Sequence, residues 1–282
     1  MKTLLVPVDF TATSENAVNF AAAWSKQYGY DRIILLKSFY DSVFENIAVA
    51  EGYANFNQEC LNSERQNATE QLQQAGQQLT NKIHPNVKVM TATSEMPLLR
   101  AVLDLVEAER PELIILGSDH YRYSSESFVA GHLISLAKAS PVKVLIVPAT
   151  YTYRLVTDAL VPFTFDFLDS VEKVNSLRSS PQWHDIQLHV LNVDATEQYR
   201  NRDENFRERE NRLHAYLKNM PHQIHYSNDK NVITGIRNFV NEHDIQLIIA
   251  LPGKHSFLYA LTHKSISEAI YRNARQPVLI LK

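Results

Sequence analysis

The sequence predicts two α/β domains in tandem, each a five-stranded, mainly parallel sheet with helices on both faces. Three observations carry this. Short apolar runs with few polar breaks alternate with longer helical patterns, as expected of a parallel sheet covered on both sides. The apolar pattern of the first half recurs in the second at one offset. Leu113-Ile114-Ile115 returns as Leu247-Ile248-Ile249, and Val144-Leu145-Ile146 as Val278-Leu279-Ile280. Leu98, Leu99, Val102, Leu105 and Val106 return as Val232, Ile233, Ile236, Phe239 and Val240, so the packing should recur as well. Finally, 282 residues are enough for about two domains with separate cores. The predicted domains are 1–149 and 150–282, joined near Thr150–Tyr153. Pro141 and Pro277 stand two residues out of the common register, which leaves a slip before the last strand open.

The elements follow in order. Thr3–Val8 is apolar, ends at Asp9 and reads as a buried strand. Thr13, Ser14 and Glu15 are N-cap candidates for a helix through Ala17, Val18, Phe20, Ala21 and Trp24, which Gly29 stops. Arg32–Phe39 is the second strand. Asp41–Gln58, with Phe44, Tyr53 and Phe56, is a long connection without clear periodicity. Glu59–Ile83 is a polar surface helix, Val87–Thr93 a strand, Pro97–Ala108 a helix and Glu112–Leu116 a strand. Phe128–Ala139 is a helix and Lys143–Val147 the fifth strand. In the second half the strands are placed at Arg154–Thr157, Ile186–Val193, Gln223–Tyr226, Gln246–Leu251 and Pro277–Leu281. The helices are placed at Asp169–Arg178, Asp203–Lys218, Val232–Glu242 and His263–Asn273. Right-handed crossovers are the default between such strands.

Composition removes several classes of function. The net charge is −3, with no basic excess to attract nucleic acid or an anionic membrane. One cysteine, Cys60, excludes an internal disulfide and a four-cysteine metal site, and reads as a free, inert thiol in a reducing cytoplasm. The apolar stretch Leu4–Val8 is too short for a signal-peptide core, and no run is long enough to span a membrane. Seven glycines fall well below the usual ~7 %, which weakens any glycine-rich phosphate cradle. His222 and His225, like His184 and His189, should point to opposite faces of their strands, so no metal site is expected. The mixed charges of Arg200–Glu210 read as a solvated helix face. There is no G-x-G-x-x-G, Walker lysine loop, H-E-x-x-H or G-x-S-x-G. Ser118, Asp119 and His120 are too close along one loop to orient one another as a triad. Tyr121–Ser127, with Arg122, Ser124 and Ser125, reads as a solvated loop more than an anion site. Lys254, His255, His263 and Lys264 read the same way.

Leu4-Leu5-Val6-Pro7-Val8-Asp9-Phe10-Thr11 resembles the opening strand and turn of universal stress proteins. So do Gly117-Ser118-Asp119-His120 and Ser140-Pro141-Val142-Lys143-Val144-Leu145-Ile146-Val147, and the closing Pro277-Val278-Leu279-Ile280-Leu281. The resemblance covers both halves. It implies an adenine-nucleotide alpha-hydrolase-like, Rossmann-type sandwich, and one branch of that family binds ATP through G-x2-G-x9-G-[S/T] after the fourth strand. Glycines there let backbone N–H groups approach phosphate oxygens. Here Gly117 fits. His120 stands at the second glycine and Ala130 at the third, with Gly131 at the hydroxyl position; shifting the gap makes Gly131 the third glycine and His132 its follower. The matching positions of the second half hold Leu251, Lys254, Lys264 and Ser265, which should close that site. The resemblance places the nucleoside side at Pro7, Val8 and Asp9, with Asp158 as the second-half counterpart of Asp9.

The expectation is therefore a stress-response protein with degenerate nucleotide sites, acting without catalysis through an unknown protein partner in the cytoplasm. No cofactor is firmly expected. The alternative is an ATP-binding protein, at most a slow ATPase, using the first domain only. By the family's habit of pairing last strands, Val144–Val147 and Val278–Leu281 should meet within the chain, since each is a short apolar edge. Homodimerisation of the chain is left open.

Overall fold

The computed structural model describes residues 1–39, 54–119, 129, 132–251 and 275–282. The chain divides into two compact units, Met1–Thr152 and Tyr153–Lys282.

In the first unit the strands are β1 (Thr3–Pro7), β2 (Arg32–Ser38), β3 (Lys88–Ser94), β4 (Leu113–Ser118) and β5 (Lys143–Pro148). Their order is β3-β2-β1-β4-β5, and the pairings are parallel. The helices are α1 (Ala12–Tyr28), α2 (Ala54–Thr80), α3 (Leu98–Glu109) and α4 (Leu133–Ala139). The chain steps outward from β1 to β3, then returns to β4 and continues the other way. Right-handed crossovers therefore put α1 and α2 on one face and α3 and α4 on the other. The central strands are buried along their whole length, as a sheet covered on both faces requires.

Local chemistry sets the ends of α1. Thr11 is the N-cap, and its side-chain oxygen accepts from the Ser14 N–H at 3.4 Å. The cap therefore lies two residues before the predicted Thr13; Thr13 and Ser14 are already inside the helix and buried. Gly29 ends α1 at φ 64, a left-handed conformation that costs glycine little, and its N–H bonds to the Ser25 carbonyl. Phe20, Trp24 and Tyr28 stack along the inner face of α1, with Trp24 and Tyr28 centroids 4.1 Å apart.

The second unit has β6 (Asp158–Phe163), β7 (Gln187–Val193), β8 (His222–Ser227), β9 (Leu247–Ala250) and β10 (Val278–Ile280), in the order β10-β9-β6-β7-β8 with parallel pairings. Its α-helices are α5 (Glu204–Tyr216) and α6 (Val232–Glu242). Ile115 faces Leu145 in the first unit as Ile249 faces Leu279 in the second, so the common offset holds through the last strand without a slip.

Two expectations fail here. The first strand is not Arg154–Thr157 but Asp158–Phe163. Leu155 is exposed, whereas Ala159–Phe163 are all buried, so only the later run can be a central strand. The helix expected over Asp169–Arg178 is a 3-10 helix over Phe165–Ser179, kinked at Phe167. Its buried residues, Leu168, Val171, Val174 and Leu177, repeat every third position. That is the 3-10 period, with side chains eclipsed on one edge.

Candidate functional site at the carboxyl ends of the strands

In the first unit β1 and β4 are neighbours, and the chain leaves them toward opposite faces. The crevice beyond their carboxyl ends is the switch point where open α/β sheets receive ligands. Asp9 and Gly117 both lie there.

Asp9 is held on three sides. Its Oδ1 accepts from the Thr11 hydroxyl at 2.6 Å and the Thr11 N–H at 3.2 Å. Its Oδ2 accepts from the Val129 N–H at 2.9 Å, and its own N–H donates to Ser14 Oγ at 3.3 Å. The carboxylate thus ties the start of α1 to a backbone amide just ahead of α4. Charge-assisted bonds of this kind are about twice as strong as neutral ones.

Gly117 is the next-to-last residue of β4. A Cβ there would stand 2.6 Å from the Thr13 carbonyl oxygen and 2.9 Å from Thr13 Cγ2. Glycine is needed because α1 passes directly over the strand, without any appeal to a phosphate. Pro7 ends β1 opposite Leu36, and the Val8 N–H donates to the Leu36 carbonyl at 2.8 Å. The structure thus brings Pro7, Val8, Asp9 and Gly117 to one end of the sheet. His120, Ala130 and Gly131 lie outside the described residues, as do Tyr121–Ser127, Lys254, His255, the expected helix His263–Asn273 and the side chain of Cys60.

Sequence reasoning missed Phe10. It has φ 62, uncommon for a bulky side chain, and is 37 % exposed. The Lys37 ammonium sits 5.4 Å from its ring centre. Beside it a cleft of about 530 Å³ opens between α1 and α2, lined by Val8, Phe10, Ser14, Val18, Gln74 and Leu79. That volume suits a small ligand, but neither Asp9 nor Gly117 lines it.

The register fixes the second unit's equivalents. Leu4 faces Leu113 as Ala159 faces Leu247. Leu5-Val6-Pro7-Val8-Asp9-Phe10 therefore corresponds to Leu160-Val161-Pro162-Phe163-Thr164-Phe165. Asp158 is not the counterpart of Asp9: it matches Thr3, at the opposite end of the strand, and Thr164 stands in the place of Asp9. The repeated Leu-Val-Pro with phenylalanine three residues on was the available signal. Leu251 takes the position of Gly117 and is 2 % exposed. Around this end Phe163, Phe165 and Phe206 form edge-to-face pairs with centroids 5.1 and 5.0 Å apart. The Tyr226 hydroxyl donates to Glu210 at 2.6 Å; burial, then Glu210, holds its phenol above the usual range.

These features define a two-unit α/β protein of parallel strands, with a topological switch point at the carboxyl ends of the strands in each unit. The model of the universal stress protein family matches residues 1–148, and the chain belongs to that family. A universal stress protein from Archaeoglobus fulgidus DSM 4304 aligns over 99 % of this chain and 98 % of its own, with a TM-score of 0.65 at 15 % identity. A Pseudomonas aeruginosa UCBPP-PA14 structure assigned to the same family covers 100 % of this chain and 93 % of its own, with a TM-score of 0.53 at 15 % identity. These likenesses establish the fold. A search of curated protein sequences finds no match. Among the described residues no helix is long and apolar enough to cross a membrane.

Proposed function

We propose that this universal stress protein acts by binding a protein partner, without catalysis, and that its two nucleotide sites are degenerate. One observation carries the reading. The Asp9 carboxylate, the best-kept member of the family pattern, is engaged by Thr11 and Val129 inside the protein. Gly117 supports it, since contact with Thr13 accounts for the missing side chain. In the second unit Thr164 and Leu251 replace both residues. The cytoplasm remains the proposed compartment, and pairing of Val144–Val147 with Val278–Leu281 remains part of the proposal, resting on the apolar character of both segments.

The alternative is ATP binding by the first unit alone. It is favoured by the position of Asp9 and Gly117 at a switch point. Calorimetric titration of ATP with Mg²⁺ separates the two, with Asp9→Ala as control. The proposed reading expects no saturable heat up to millimolar nucleotide. Micromolar binding that Asp9→Ala abolishes would establish the alternative.

A further inference from the structure

The opposite end of the second sheet carries a cluster that neither reading uses. His189 on β7 and His225 on β8 lie on the same face, because His189 is in register with Gln223, two residues before His225. Neither His222 with His225 nor His184 with His189 was expected to converge; the structure couples one member of each pair. His189 Nδ1 and His225 Nε2 are 3.1 Å apart, and His189 Nε2 lies 2.9 Å from Asp158 Oδ1 on β6. His243, at the carboxyl end of α6, completes the group. Its ring centre is 6.0 Å from His189 and 5.7 Å from His225, and its Nδ1 meets the Phe239 carbonyl at 2.9 Å. Phe239 stacks on His243 at 3.8 Å and meets His225 edge-on at 4.8 Å. Among the described residues no three such side chains converge as metal ligands.

A single hydrogen bond links two imidazoles, so one ring must donate and the other accept. Protonating both puts two donors and two positive charges face to face. Among the described residues the titratable groups facing His225 are His189 from the neighbouring strand and His243 from α6. Asp158 lies against His189, and the negative end of the α6 dipole lies against His243. His225 sits between two imidazoles and the Phe239 ring, so repulsion falls on it. Burial first, then His189 and His243, hold its pKa down to about 4, against 6.5 for an ordinary histidine.

The first unit supplies an internal control. The place of Asp158, His189 and His243 is taken there by Thr3, Ile34 and Glu109. Arg32 fills the space, bonded to Glu109 Oε2 at 2.6 Å and to Thr3 Oγ1 at 3.0 Å. Histidine is the side chain whose ordinary ionisation falls between about pH 5 and 8. Where the first unit has an arginine–glutamate tie, the second holds three imidazoles and a carboxylate.

We propose that Asp158, His189, His225 and His243 form a proton-operated latch: neutral, it ties β6, β7 and β8 to the carboxyl end of α6, and on acidification it releases α6 and β8. The folded state, with its lowered His225, binds fewer protons than the unfolded chain. The latch is therefore intact above about pH 6.5 and weakens as pH falls toward 4.

Amide hydrogen exchange on the full chain, near pH 7.5 and near pH 5, tests this once the chemical exchange rate is divided out. Protection of β8 and α6 should fall at least about tenfold more than that of β1 and β2. His225→Phe should remove this excess. Should His225→Phe not fold, His243→Gln, which takes one charge away from the same contact, should halve the excess or better. Equal acid sensitivity in the two units overturns the latch. So does an excess that survives His225→Phe or His243→Gln. A third contrary result would be its disappearance with His214→Gln, because His214 pairs with His222 at 2.8 Å, and His222 lies on the other face of β8.

Discussion

At the carboxyl end of its sheet the first unit carries Asp9, Gly117 and an α-helix capped at both ends. The second carries Thr164, Leu251 and a kinked 3-10 helix at the same topological place. The two sets belong together. An α-helix that crosses β4 closely leaves no room for a Cβ at Gly117, and needs an acceptor such as Asp9 to fix its first turn. Once that helix is replaced by a 3-10 helix with a three-residue apolar repeat, the strand end can take a leucine. The comparison teaches that the family glycine reports on helix packing as much as on a ligand.

The largest effect should come from the second unit's plug. Leu251→Ala removes a buried side chain and should cost about 2–5 kcal/mol by denaturant unfolding. The same substitution at the matching glycine, Gly117→Ala, should cost about 1–3 kcal/mol by forcing α1 off β4. A neutral outcome at Gly117 would break the comparison, since it would leave a ligand as the remaining reason for glycine. Asp9→Ala comes next. It leaves the Val129 amide without its acceptor and should cost about 1–3 kcal/mol. Thr164→Ala should stay within about 0.5 kcal/mol, because the Thr164 side chain makes no capping bond. Equal losses at Asp9 and Thr164 would remove the asymmetry. Thr11→Ala, expected at about 1 kcal/mol through loss of the N-cap of α1, falls between Asp9→Ala and Thr164→Ala.

Much of the fold was legible because strong apolar periodicity survives in both halves. The helix Leu98–Glu109 and its counterpart Val232–Glu242 were readable from their buried stripes, and the repeated Ile-rich strands gave the common register. The first strand of the second unit was not. Leu155 and Val156 offered an early apolar pair, and only burial shows that Asp158–Phe163 is the central strand. That shift of one element moved the counterpart of Asp9 from Asp158 to Thr164.

The sequence by itself determined the strand and helix alternation, the recurrence of the apolar pattern and the residue types that stand at the family's glycine positions. Each is a property of residue type and spacing along the chain. The tertiary structure decided what the surviving residues do. It set Asp9 against Val129, Gly117 against Thr13, and His189 against His225, pairs separated by strands and crossovers. Period-two alternation predicts which face a side chain takes, and it correctly put His222 and His225 on opposite faces. It says nothing of which neighbouring strand supplies the partner, because that follows from parallel register, which no local pattern encodes.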